Sequence, residues 1–137
     1  MSTPRELADY LAEVGAKPFD WATWNCCTFA AGWVQRRTGI DVMHGLARTA
    51  SRHAAWRLVG QVGGSLQQAW STRLGAAHIA PELAQAGDVV LLLVPGAIDE
   101  AVGLCAGRLA ACVTPEDGIA MFPMDWATHA WRVEPAK

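Results

Sequence analysis

Apolar residues fall on helical spacing in the first half of the chain and in unbroken or alternating runs in the second. Leu7, Tyr10, Leu11 and Val14 recur at i, i+3, i+4 and i+7, one stripe of an amphipathic helix. In front of it, Thr3 supplies a capping residue, Pro4 suits the first helical position and Glu6 completes a capping box; Gly15, with Pro18 just beyond, stops the helix. A second stripe, Cys26, Phe29, Ala30, Trp33 and Val34, begins behind Asn25, a good N-cap, and ends near Gly39. It puts Cys26 on the buried side of the first turn and swings Cys27 about 100° around the helix. A third helical stretch, Ala50 to Val59, ends at Gly60. Ser65 with Gln68 opens a short helix through Leu74 that Gly75 closes, and residues 76–86 read as a loop with a turn near Pro81.

From Gly87 onward the period changes. Asp88 to Val94 is a continuous aliphatic run between Gly87 and Pro95-Gly96, the mark of a buried strand. Further short strands are predicted over Glu100–Ala106, Leu109–Thr114, Gly118–Phe122 and His129–Val133, with turns at Gly107-Arg108 and Pro115–Gly118. Helices first and a meander of strands second describe a single α+β domain over residues 1–137, with N-terminal helices followed by a small antiparallel sheet.

Composition narrows the chemistry. The 137 residues are 52% hydrophobic and 18% charged, against roughly 25% charged in an average soluble domain, so disorder is excluded. The longest apolar run, Val89–Ile98, is interrupted by Pro95 and Gly96 and falls short of the ~18–20 residues of a membrane span. A net charge of −2 gives no footprint for nucleic acid. Arg5, Glu6, Asp9 and Glu13 break any leader-like apolar segment, which predicts synthesis and folding in a reducing compartment. Cys26, Cys27, Cys105 and Cys112 accordingly read neither as a disulfide framework nor, lacking a C-x-x-C pair and a histidine at ligand spacing, as a zinc site; no metal and no cofactor are expected. If Gly107-Arg108 is a two-residue hairpin turn, Cys105 pairs with Ala110 and Cys112 lies diagonally on the same face, too far from Cys105 for a disulfide. Seven tryptophans are more than one small core accepts: Trp33 belongs to the core stripe, Trp21 and Trp24 support the second helix, and some of Trp56, Trp70, Trp126 and Trp131 are expected at an interface.

A thiol at a helix N-terminus is where cysteine becomes a nucleophile, because unpaired N–H groups and the helix dipole favour thiolate. The run Phe19-x-Trp21-x-x-x-Asn25-Cys26, then Gly87-Asp88-Val89-Val90, then Val102-Gly103-Leu104, resembles the NlpC-type cell-wall peptidases of the papain-like superfamily. The similarity points to a phage-encoded branch made of small tail-associated proteins that end in a strand like Ala130-Trp131-Arg132-Val133. It covers most of the chain in order. It implies a papain-like fold, Cys26 as candidate nucleophile behind Asn25, and a histidine base directly before the Val-Gly of the second strand. That position is Ala101, and the stretch that should carry the base's orienting residue is Leu109-Ala110-Ala111-Cys112. A thiol without an adjacent base lacks both its ion-pair partner and the acid that protonates a leaving amine. On a pleated strand Ala101, Gly103 and Cys105 share one face; turned toward the Cys26 helix, it would offer close approach and no functional group.

Of the four histidines, His129 at the start of the last strand is the weak candidate for a substitute base. His78 lies in a loop, His53 on a helix with Arg52 and Arg57, and His44 before Gly45. The resemblance therefore implies a phage tail component, in the tail tip, the baseplate or tail assembly, with a degenerate peptidase site. Such a protein is made in the host cytoplasm and carried in the virion tail, with other tail proteins as partners. The alternative is an active cysteine hydrolase that cleaves the peptide stems of peptidoglycan through Cys26.

Overall fold

The computed structural model describes residues 3–96 and 99–135. Four helices come first: α1 (Thr3–Val14), α2 (Cys26–Thr38), α3 (Arg52–Val62) and α4 (Leu66–Leu74). Five strands follow, β1 (Val89–Leu92), β2 (Ala101–Cys105), β3 (Leu109–Thr114), β4 (Gly118–Pro123) and β5 (Ala127–Trp131), in one antiparallel sheet of order β4-β3-β2-β1-β5. The α+β class expected from the sequence is what forms. The last two residues of the apolar run, Ala97 and Ile98, lie outside the described residues.

The helix ends follow local chemistry. Asn25 caps α2, its side-chain oxygen accepting from the N–H groups of Cys27 (2.9 Å) and Thr28 (3.0 Å), while Thr28 Oγ1 accepts from Asn25 N–H; Gly39 closes the helix in the left-handed region. Ser65 caps α4 and Gly75 ends it. Two details differ from the sequence reading. Thr3 and Glu6 face Arg37 of α2 instead of each other: Thr3 Oγ1 accepts from its guanidinium at 2.8 Å, and the Glu6 carboxylate pairs with it. A buried cation needs a partner more than an exposed helix start needs a second cap. α3 also runs through Gly60 to Val62, because Ser51 caps it and a lone glycine costs a helix only about 1 kcal/mol.

The strands shift for similar reasons. β1 stops at Leu92, since Leu93 N–H donates to Trp126 O (3.0 Å) in the short 3₁₀ turn Met124–Trp126 that carries the chain from β4 across to β5. Met124 N–H donates to Arg108 O (3.0 Å), so this turn ties the ends of β1 and β3 together and curls the sheet. β5 starts earlier than His129, where Ala127 pairs with Leu92 after a register shift, and it ends at Trp131.

Both faces of the sheet are covered. Val89, Leu91, Val102, Leu104, Ala111, Val113 and Trp131 pack with Phe29, Ala30, Trp33 and Val34 of α2 and with Leu7 and Tyr10 of α1. Val90, Leu92, Cys105, Ala110, Cys112 and Ala130 form a second cluster on the opposite face, flanked by Ile79, Ala84, Phe122, Met124 and Trp126. This doubling gives the fold room for more tryptophan than a single small core would take. Trp70 and Trp131 are buried, Trp56 and Trp126 are half-buried against the two clusters, and no tryptophan is fully exposed.

The Gly87-Asp88 pair joins the layers. Gly87 has φ +94°, and a Cβ there would fall 2.6 Å from Thr3 Cγ2; its carbonyl accepts the Trp33 indole N–H at 2.7 Å. Asp88 is buried. Its carboxylate accepts from Gln85 N–H (2.9 Å), Val133 N–H (3.1 Å) and Arg132 Nε (3.2 Å), while its backbone oxygen takes Cys105 N–H (2.8 Å). The motif that resembles a peptidase signature is, in this fold, the knot that fixes where β1 starts and where the tail leaves β5.

Candidate functional site

Cys26 is the first residue of α2, and it is the one α2 residue that packs against both clusters of the sheet. The short segment before it is tightly held. Asp20 and Trp24 form a β-bridge, Asp20 Oδ1 accepts from Ala22 and Thr23 N–H, and the Trp21 carbonyl accepts from both Asn25 Nδ2 (3.0 Å) and Thr49 Oγ1 (2.9 Å). Phe19 packs edge-on against Trp21 at 4.9 Å between ring centres, and Trp24 is buried against Phe29. Asn25 therefore acts by capping and anchoring; its polar atoms are spent on the backbone.

The surroundings of the Cys26 thiol favour its charged form on balance. The Cys27 side chain contributes most, burial opposes it, and the backbone N–H groups of Val102, Cys26 and Cys27 add to it; the net result pulls the Cys26 pKa down to about 7. Cys27 moves the other way. Its bond to Cys26 and its burial hold its pKa well above the ordinary thiol value, against a smaller opposing pull from the Trp70 side chain. Cys112 is buried and likewise raised, first by burial and then by the charge of Cys26. Its sulfur lies 3.3 Å from the Val102 carbonyl. Val102 thus serves both thiols, its N–H facing Cys26 and its C=O facing Cys112.

The other residues singled out in the sequence fall as follows. Ala101 lies on the far face with Cys105 and Cys112, while Val102 and Leu104 face the body of α2; the small-residue face is turned away from the helix except at Cys26 itself. Gly103 permits the local crowding, since a Cβ there would fall 2.5 Å from Ala111 O and 3.5 Å from Cys112 Cβ. His129 lies on β5 opposite Leu91. Its Nδ1 is 2.9 Å from Thr128 Oγ1, and its ring packs edge-on against His78 at 4.6 Å and beside Trp131. His78 in turn bonds to Gln67 Nε2. The main influences on the Cys26 thiol come from Cys27, from burial and from backbone groups, and none of these is a histidine. Cys105 is buried and pairs with Ala110, as the hairpin at Gly107-Arg108 requires, and all four cysteines are free thiols.

Two contiguous hollows open beside the first turn of α2. An apolar cavity of about 90 Å³ is walled by Cys27, Leu58, Val59, Leu66 and Trp70. It abuts a more polar cleft of about 290 Å³ bounded by Thr23, Thr28 and Arg48, the two sharing Asn25, Met43, Leu46, Thr49 and Leu58. Arg73 of α4 holds the rim by donating to the carbonyls of Val42 and His44. Cys27, which the helical spacing swings away from the buried stripe, faces the cavity, and Cys26 lines neither hollow.

Val102 and Cys112 were not read as site residues. The signal for Cys112 existed: pairing Cys105 with Ala110 places Cys112 beside Gly103, one step from Ala101. The role of Val102 is a backbone one and has no sequence signature.

The lowered pKa of Cys26 gives a direct expectation. Alkylation of Cys26 by iodoacetamide reports its thiolate, so its rate should be half-maximal near pH 7 and fall below that as the sulfur protonates. Cys27→Ala removes the strongest donor and should move the midpoint upward, toward an ordinary thiol. Site-resolved mass spectrometry across pH measures both, and an unmoved midpoint would refute the role given to Cys27.

Among curated proteins none matches this sequence. A family profile described as a domain of unknown function (DUF6950) matches residues 2–133, nearly the full chain, and the protein belongs to that family.

Proposed function

We propose that the chain is a component of a phage tail, in the tip, the baseplate or the assembly machinery, built on an NlpC-like framework whose peptidase site has degenerated. One observation carries the loss of catalysis. Cys26 keeps the helix-start position and the N–H donors that stabilise a thiolate, but the groups around it are amides and thiols, with Ala101 at the position of the base. Cleaving a peptide bond requires an acid for the departing amine, and a backbone N–H cannot transfer a proton on that timescale. The tail assignment rests on the sequence resemblance. On this reading the protein is made in the host cytoplasm and is carried into the virion with its tail partners.

Incubation with purified peptidoglycan fragments should release no product that depends on Cys26, comparing the native protein with Cys26→Ala. Proteomics of purified virions and of tail-assembly intermediates from a phage encoding the chain should recover it; absence from both would sink the assignment.

A second reading has a specific observation in its favour. A thiol with a pKa near 7 is substantially ionised at neutral pH and is a competent nucleophile, as an active hydrolase cutting cell-wall peptide stems would need. Cys26-dependent release of stem-peptide products would establish it over the first.

A further inference from the structure

The helix α3 is amphipathic, yet none of its residues is fully buried. Its apolar residues Ala55, Leu58, Val59 and Val62 are half-buried and, with Leu66 and Trp70 of α4, line the cavity of about 90 Å³. That cavity shares five wall residues with the cleft of about 290 Å³, whose own wall includes the exposed residues Thr23, Ala47 and Arg48. The two form one recess, polar where it meets solvent and apolar at its inner end. Its size lies in the lower part of the ~300–1,000 Å³ range of small-molecule sites. Its charge is one-sided: Arg48 and Arg73 line it, and among the described residues no Asp or Glu does. Arg73 spends its donors on the carbonyls of Val42 and His44, so no carboxylate neutralises it. Arg36, Arg37, Arg52 and Arg132 each pair with a carboxylate, whereas Arg48 has no hydrogen-bond or ion-pair partner among the described residues.

We propose that this recess binds a short-chain aliphatic carboxylate, its tail in the apolar cavity and its carboxylate at Arg48. Size selects the tail. An apolar cavity of about 150 Å³ holds a benzene ring, so one of about 90 Å³ scales to a chain of about three or four carbons. A longer chain would leave its far end in water. Charge selects the head. A guanidinium with no partner of its own offers a carboxylate two parallel N–H donors, and Arg73 adds attraction at longer range. The Cys27 thiol keeps the inner wall uncharged, because its bond to Cys26 and its burial hold its pKa well above the ordinary thiol value. Filling the cavity also completes the burial of the α3 residues that the free fold leaves half-exposed, which is the source of the affinity for the tail.

The test is a titration of the folded protein with butanoate, hexanoate and decanoate, followed by two-dimensional amide NMR. Saturable binding is expected, with shifts centred on residues 42–49, α3 and α4. Affinity should rise about fourfold per methylene from butanoate to hexanoate and then level off, since the cavity is full. Hexan-1-ol, the same tail without the charge, should bind roughly fivefold more weakly than hexanoate. Arg48→Ala should bring hexanoate down to the level of the alcohol and leave the alcohol unchanged. Ala55→Leu occupies the cavity with its own side chain and should weaken both ligands at least about tenfold. Arg48 is exposed and Ala55 half-buried, so both variants should keep the native circular dichroism spectrum, and the ligand series on the native protein is decisive without them. No saturable binding of hexanoate, equal binding of alcohol and carboxylate, shifts centred elsewhere, or an even rise through decanoate would overturn the proposal. No outcome depends on Cys26, on peptidoglycan or on a tail partner, so this site stands or falls apart from the proposed function.

Discussion

Alanine at position 88 should destabilise the fold by about 2–4 kcal/mol, read as a lowered urea midpoint by far-UV circular dichroism. The loss comes from the backbone. Val133 N–H is buried and Gln85 N–H partly so, and both lose their acceptor when the carboxylate goes. The Arg132 contact adds little, because that guanidinium is 39% exposed and water replaces the lost partner. Asn in place of Asp88 keeps one acceptor oxygen but turns an amide donor toward other donors, so it should fall between the native protein and the alanine variant. A change under about 0.5 kcal/mol for alanine, the size expected of an ordinary surface site, would show that the joint between β1 and the tail after β5 is not held by this side chain.

Trp33→Ala is expected to cost more, about 3–5 kcal/mol, against a total stability of about 5–15 kcal/mol for a domain of this kind. Trp33 is fully buried, 5.7 Å from the Tyr10 ring between centres, with the Arg37 guanidinium over its face. Its indole N–H holds the Gly87 carbonyl, so truncation opens a cavity and strands a buried acceptor at once. Trp33→Phe separates the two effects. It keeps most of the packing and removes only the hydrogen bond, so its cost should be about 1–3 kcal/mol. Equal losses for the two variants would mean that the bond to Gly87 carries the whole contribution of this residue.

The elements that could be read from the chain are those whose signals are local. Asn25, Ser65, Gly39 and Gly75 mark helix ends through groups within four residues of themselves, and each lies where the spacing puts it. β3 runs from Leu109 to Thr114, as its flanking turns predict. What escaped the reading is set by residues far apart in sequence. Thr3 and Glu6 serve Arg37, more than thirty positions away, and β1 ends where Trp126 captures Leu93 N–H. That Trp70 and Trp131 would both be buried was not legible, because the sequence does not say that both faces of the sheet are covered. For the candidate site, Cys26 and its cap were legible, since a cysteine behind an N-cap is a one-turn pattern. The influence of Val102 on the Cys26 thiol and of Cys26 on Cys112 depends on how β2 and β3 lie against α2, which Gly103 permits but does not announce.

The bridge between Ile79 and Ala130 has a consequence for how copies of this chain can meet. Two hydrogen bonds, Ile79 N–H to Ala130 O at 2.7 Å and Ala130 N–H to Ile79 O at 3.2 Å, occupy the outer flank of β5 near its C-terminal end. The other flank, along β4, has no such stopper among the described residues. Fibre growth by strand addition needs two free flanks, one to receive a copy and one to offer onward. With that stretch of β5 occupied, a strand arriving at this flank would first have to displace the loop that carries Ile79.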